Sequence, residues 1–120
     1  MITQPVTTIL DPDPPLEIAR AARDKLIPSL RTHLRSAIAD SDEFEPDEVD
    51  ELIDTLSCYP SSGWYTDWLR ELDWMETGAR AITPQQRQNI KLARAELLLH
   101  RDNCKRVGRI ERRIYRELVS

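Results

Sequence analysis

Apolar residues recur every three or four positions in four segments of the chain, which is the spacing of one face of an α-helix. Residues 1–12 mix β-branched residues with prolines and show no such period, so we predict a flexible arm there. The pattern predicts an all-α fold in which 13–120 form a single irregular four-helix bundle. The predicted helices cover approximately 14–39, 46–57, 62–77 and 84–118.

Proline marks the start of three of these helices. Pro14, Pro46 and Pro84 stand at first helical positions, where the backbone N–H that proline lacks would have no partner in any case. Thr83 is a suitable N-cap before Pro84, and Gln86 completes a capping box with it. The start of the fourth helix is therefore the best-defined boundary in the sequence.

Pro28 lies inside the first helical segment, yet the apolar period continues on both sides of it. We therefore expect one kinked helix, because proline removes a backbone hydrogen bond but does not end the pattern. The carbonyl that loses its donor belongs to Asp24, which lies on a polar stripe, so the bend should open towards solvent. Two abutting helices that meet near Pro28 are the alternative.

The fourth segment is too long for a compact domain of this size. A helix of about 35 residues would extend about 52 Å, whereas a compact domain would have a radius of gyration of about 14 Å. Either the helix breaks between Asp102 and Gly108, or its end projects and associates with another chain, which makes self-association through this helix an alternative. The residues of the fourth segment that follow a heptad spacing are Ile90, Ala93, Leu97, His100, Cys104, Val107, Ile114 and Leu118.

Length and composition exclude several classes of protein. A chain of 120 residues suits one domain, and no apolar run approaches the ~20 residues that span a bilayer. The N-terminus does not resemble a secretory signal, so we expect a cytoplasmic protein that does not bind membranes. Cys58 and Cys104 are not spaced as metal ligands, and the acidic run after Asp40 lacks the glycine of a calcium-binding loop. We therefore predict no metal and no cofactor.

Charge is segregated along the chain. The first 54 residues carry thirteen acidic and five basic side chains, whereas the last 38 carry ten basic and four acidic ones. A basic row follows one face of the fourth helix at Arg101, Lys105, Arg109, Arg112 and Arg116. Such a row suits a nucleic-acid backbone, because each neutralised phosphate releases counterions. The alternative is a face that is solvated or that docks on the protein's own acidic half.

The third helical segment contains all three tryptophans of the chain. Trp64 and Trp68 share a face with apolar residues, so we expect them in the core. Trp74 shares its face with Asp67 and Arg70, which places it at the rim of the core or in solvent. Because exposed tryptophan is typical of interface hot spots, we predict a partner-binding surface formed by Trp74, Arg70 and Asp67.

No motif in the sequence names a reaction. His33 and His100 lack a nucleophile or carboxylate partner at a catalytic spacing, and the three glycines form no phosphate-binding loop, so we predict no catalytic residues. The expected function is that of a non-enzymatic protein–protein interaction module, an accessory or regulatory subunit. A DNA- or RNA-binding regulator that uses the basic row is the alternative. A small all-α enzyme with an arginine-lined pocket is a minor alternative.

Overall fold

Four helices and no strands make up the part of the chain that the computed structural model describes, which is residues 13–39, 41–78 and 82–119. The predicted all-α fold is therefore confirmed. The flexible arm predicted at 1–12 lies outside the described residues. The helices are α1, Leu16–Ala37; α2, Pro46–Cys58; α3, Trp64–Thr77; and α4, Pro84–Val119.

The predicted proline starts hold for two helices. α2 begins at Pro46 and α4 at Pro84. At the start of α4 the hydroxyl of Thr83 accepts a bond from the backbone N–H of Gln86 at 3.1 Å, and the N–H of Thr83 donates to the Gln86 side chain at 3.0 Å. The capping box is therefore present. α1 begins at Leu16, later than predicted, because the backbone at Pro15 is not helical.

α1 continues as a single helix through Pro28, so it is not two abutting helices. Pro28 and Asp24 are both exposed, as the polar stripe predicted, so water can bond the carbonyl that proline leaves free. The Thr32 hydroxyl donates a bond to the carbonyl of Pro28 at 3.1 Å.

The core forms where α2 and α3 pack against the pair of α1 and α4. α1 and α4 make the most extensive contact in the molecule, and they run antiparallel. Trp68 is fully buried and stacks on Phe44, with ring centroids 4.1 Å apart, so the connector between α1 and α2 also contributes to the core. The fully buried leucines are Leu30, Leu34, Leu52, Leu56, Leu72 and Leu97.

α4 is unbroken from end to end, across both Asp102 and Gly108. The molecule is accordingly elongated, with a longest dimension of 57 Å and a radius of gyration of 17.6 Å. A second small core cluster joins Ala19 of α1 to Val107 and Ile110 of α4. Beyond it, every side chain of 111–119 is exposed, so the end of α4 projects.

The helices are amphipathic rather than apolar. Within the described ranges, no helix is both long enough and apolar enough to cross a membrane.

Candidate functional site

Trp74 projects from α3 into solvent. Its side chain is 58% exposed, in contrast to Trp68 earlier on the same helix, which is fully buried. Trp74 lines a cavity of about 520 Å³ between α3 and the connector 41–45. We call this cavity the Trp74 groove, and its principal lining residues are Phe44, Asp67, Arg70, Glu71, Trp74 and Met75.

The predicted partner-binding residues come together in this groove. Asp67, Arg70 and Trp74 all line it, because steps of three and four residues place them on one side of α3. Arg70 donates a bond to the Asp67 carboxylate at 3.2 Å, so its charge is balanced within the groove. The sequence could predict this juxtaposition because all three residues belong to one helix.

The opposite wall of the groove could not be predicted from the sequence. Ser41 donates a bond to Glu71 at 2.6 Å, and its hydroxyl accepts bonds from the backbone N–H groups of Glu43 and Phe44. The Phe44 ring stacks on Trp68. These contacts hold the connector against α3, and the groove is the space that remains between them.

The Trp74 groove is acidic. Arg70 is the single basic residue among its lining side chains in the described structure, and it is paired with Asp67. The groove therefore offers uncompensated negative charge beside an exposed indole ring. Its four acidic residues are Asp42, Glu43, Asp67 and Glu71.

Two of the five residues in the basic row are engaged within the protein. The guanidinium of Arg101 lies 4.8 Å above the ring of Tyr65 and bonds Asp102 at 3.3 Å. Arg109 bonds the two carboxylate oxygens of Asp13 at 2.7 and 3.1 Å. The contact between Arg109 and Asp13 matches the alternative in which the basic face docks on the protein's own acidic half, whereas Arg101 contacts Tyr65 and the adjacent Asp102 instead.

Asp13 is the main acidic partner of this face. It also accepts a bond from Arg113 at 2.9 Å. The hydrogen bond from Arg109, reinforced by its charge and by the bond from Arg113, lowers the pKa of the Asp13 carboxyl to about 2. Asp13 in turn raises the pKa of Arg109. The first described residue is thus tied electrostatically to the distant end of α4.

The other three basic-row residues are free of such contacts. Lys105, Arg112 and Arg116 are exposed and make no ion pair with the described residues. Arg112 and Arg116 line a second cavity, of about 550 Å³, together with Cys58 from the end of α2. The structure therefore divides the predicted row into an engaged part and a free part.

His33 takes part in a polar cluster that the sequence did not indicate. Its Nδ1 contacts the carboxylate of Glu96, and the Ser29 hydroxyl lies 3.3 Å from the same nitrogen and donates to Glu96 at 2.5 Å. Both partners meet one ring nitrogen, so the imidazole cannot carry a proton between them as it does in a hydrolase triad. The cluster joins α1 to α4 and acts as a polar clamp.

His100 and Cys104 are buried neighbours on α4, with Nε2 and Sγ 3.5 Å apart. Burial lowers the pKa of His100, and burial raises the pKa of the Cys104 thiol to about 11. Both side chains are therefore neutral near neutral pH and pack as part of the core. No group of three histidine, cysteine or carboxylate side chains in the described ranges is arranged to hold a metal ion.

Comparisons with known proteins give no relative for this chain: no family model, curated protein or solved structure matches it significantly.

Proposed function

We propose that this protein is a cytoplasmic, non-enzymatic interaction module that binds a basic segment of a protein partner in the Trp74 groove. The observation that carries the proposal is the exposed Trp74 ring beside a cavity of about 520 Å³ with acidic walls. An indole that remains in solvent adds little to the fold, whereas it is the side chain most enriched at interface hot spots.

The charges of the groove define the class of partner. The three carboxylates that Arg70 does not balance attract cationic segments, and an arginine or lysine of the partner could stack on the Trp74 ring. Phe44 and Met75 add apolar surface to the lining. We therefore expect the partner segment to combine basic residues with at least one apolar side chain. In binding that segment, this protein would act as an accessory or regulatory subunit.

Selection from a library of random displayed peptides tests this proposal directly, because it requires no candidate partner. The selected peptides should be enriched in arginine or lysine next to leucine or an aromatic residue. Trp74→Ala should weaken the binding of a selected peptide by about 2 kcal/mol, which is roughly thirtyfold in affinity. Fluorescence anisotropy with a labelled peptide measures the effect, and circular dichroism confirms that the variant is folded.

Three further variants make the test specific. Tyr59 is another exposed aromatic residue, at 71% exposure, and it does not line the groove, so Tyr59→Ala should leave binding unchanged. Asp67→Asn should weaken the binding of a basic peptide, and Arg70→Ala should preserve or strengthen that binding. Acidic or neutral selected peptides, or full affinity in Trp74→Ala, would refute the proposal.

Nucleic-acid binding is the second proposal, supported by the three free residues of the basic row. Neutralising three phosphates predicts a slope of about −3 in a plot of log affinity against log salt. Because Arg109 is occupied by Asp13, charge reversal at Arg112 and Arg116 should reduce affinity for a labelled duplex more than Arg109→Glu does. Two results would exclude this mode of binding. One is an equal loss of affinity in the Arg112 and Arg116 variant and in Arg109→Glu, and the other is an affinity that does not change with salt.

A further inference from the structure

The second cavity has the size of a small-molecule site. It has a volume of about 550 Å³ and lies between the end of α2 and the last turns of α4. Small-molecule sites in proteins typically measure about 300–1,000 Å³. Cys58 and Pro60 line one side, and Gly108, Arg112, Tyr115 and Arg116 line the other.

Gly108 lies in the wall of this cavity. Glycine in the interior of a helix is less stable than alanine by about 1 kcal/mol, so its presence in the middle of α4 calls for a reason. A Cβ at this position would meet the terminal nitrogen of Arg112 at 3.3 Å, a tight contact. The missing side chain therefore leaves room for the Arg112 guanidinium against this wall of the cavity.

The cavity presents positive charge that the protein does not balance. Arg112 and Arg116 make no ion pair with the described residues. The acidic lining residue, Glu111, bonds Arg20 at 2.7 Å and is already neutralised. The two guanidinium groups therefore stand ready for an anion, and guanidinium binds carboxylate, sulfonate and phosphate oxygens well.

Apolar surface lies next to these charges. Tyr115 is 66% exposed, and both it and Pro60 line the cavity. A ligand that contained only an anionic group would leave this apolar surface uncovered. The lining thus suits a molecule that has both an anionic end and an apolar body.

We infer that this cavity binds a small anionic ligand, with the anionic group on Arg112 and Arg116 and an aromatic or aliphatic body against Tyr115 and Pro60. We call it the anion cavity. The inference does not depend on the Trp74 groove, whose charge is opposite, so either can fail without the other.

Anilinonaphthalene sulfonate is a suitable probe, because it joins an anionic sulfonate to an aromatic body and its fluorescence rises on binding. The full chain should bind it saturably, and its neutral parent, phenylnaphthylamine, more weakly. The double variant Arg112→Gln with Arg116→Gln should lose roughly tenfold or more in affinity, as the removal of charged hydrogen bonds implies. Lys105→Gln with Arg106→Gln removes the same charge from the same helix and should retain affinity.

Cys58 reports the position of the probe. Both cysteines line the cavity, but Cys58 is exposed whereas Cys104 is buried. Iodoacetamide should therefore modify Cys58 first, and bound probe should slow that reaction. Gly108→Leu should weaken binding of the probe, because the leucine side chain would occupy part of the cavity. Trp74→Ala should leave binding of the probe unchanged. An equal loss in both double variants, or no protection of Cys58, would overturn the inference.

Discussion

α4 contains two parts that share one sequence pattern and differ in their surroundings. Residues 84–110 bury seven side chains, whereas all the side chains of 111–119 are exposed. The apolar period nevertheless continues into the second part at Ile114 and Leu118, which are 38% and 79% exposed. The same period therefore marks a covered face in one part and an open face in the other.

The lengths of the neighbouring helices explain this difference. α1 has 22 residues and α4 has 36, which correspond to about 33 Å and about 54 Å of helix. Because the two helices are antiparallel, α1 begins beside the position that α4 reaches near residue 110. A hydrophobic period thus shows which side of a helix is apolar, but whether that side is covered depends on how far the neighbouring helix extends.

The largest predicted contrast is between one leucine in each part. Leu97→Ala should lower the free energy of unfolding by about 3 kcal/mol, because it leaves a cavity in a fully packed core. Leu118→Ala should change it by less than about 0.5 kcal/mol, because that side chain already contacts water. Urea unfolding followed by circular dichroism measures both values.

A large loss in Leu118→Ala would contradict this comparison and would mean that the open face is covered in solution. Light scattering at two protein concentrations would then show whether a second copy covers it. Val107 cannot be part of such an interface without unfolding, because it is 2% exposed and packs against α1. A test of self-association should therefore use Ile114→Asp, at an exposed position, rather than a substitution at Val107.

A smaller contrast concerns helix propensity. Lys105 lies on the exposed side of the first part of α4. Lys105→Gly should lower the free energy of unfolding by about 1 kcal/mol. Arg116→Gly should cost much less, since residues near a projecting helix end can fray without unfolding the bundle. Thermal unfolding and amide hydrogen exchange measure the two effects. Equal costs would show that 111–119 unfold together with the core.

Local signals in the sequence predicted the helices well. The start of α4 depends on Thr83 and Gln86, which are three residues apart, and the structure contains their reciprocal hydrogen bonds. The exposure of Trp74 also followed from neighbours on its own helix, Asp67 and Arg70. Features that rest on residues within one or two turns of each other are accessible from sequence.

Contacts between distant segments could not be predicted in the same way. The Trp74 groove depends on Phe44 stacking on Trp68, and the clamp at His33 depends on Glu96, which is 63 residues away. The basic row lies within the continuous helix α4, but its partial neutralisation depends on Asp13, 96 residues from Arg109. Charge spacing gives the geometry of a face, and only the tertiary structure identifies which charges are already paired.

The smallest predicted effect concerns the ion pairs that connect Asp13 to Arg109 and Arg113. Folding lowers the pKa of the Asp13 carboxyl from its ordinary value of 3.8 to about 2. The carboxylate therefore stabilises the fold at pH values above 3.8, and this contribution is lost as the pH falls towards 2. Asp13→Asn should therefore unfold at a slightly lower temperature than the natural chain near neutral pH, and the difference should disappear in acid. It should stay small throughout, because ion pairs at the surface contribute little. A difference that persists below pH 2 would show that Asp13 acts through packing rather than charge, and the attachment of the chain's first described residues to the end of α4 would then not be electrostatic.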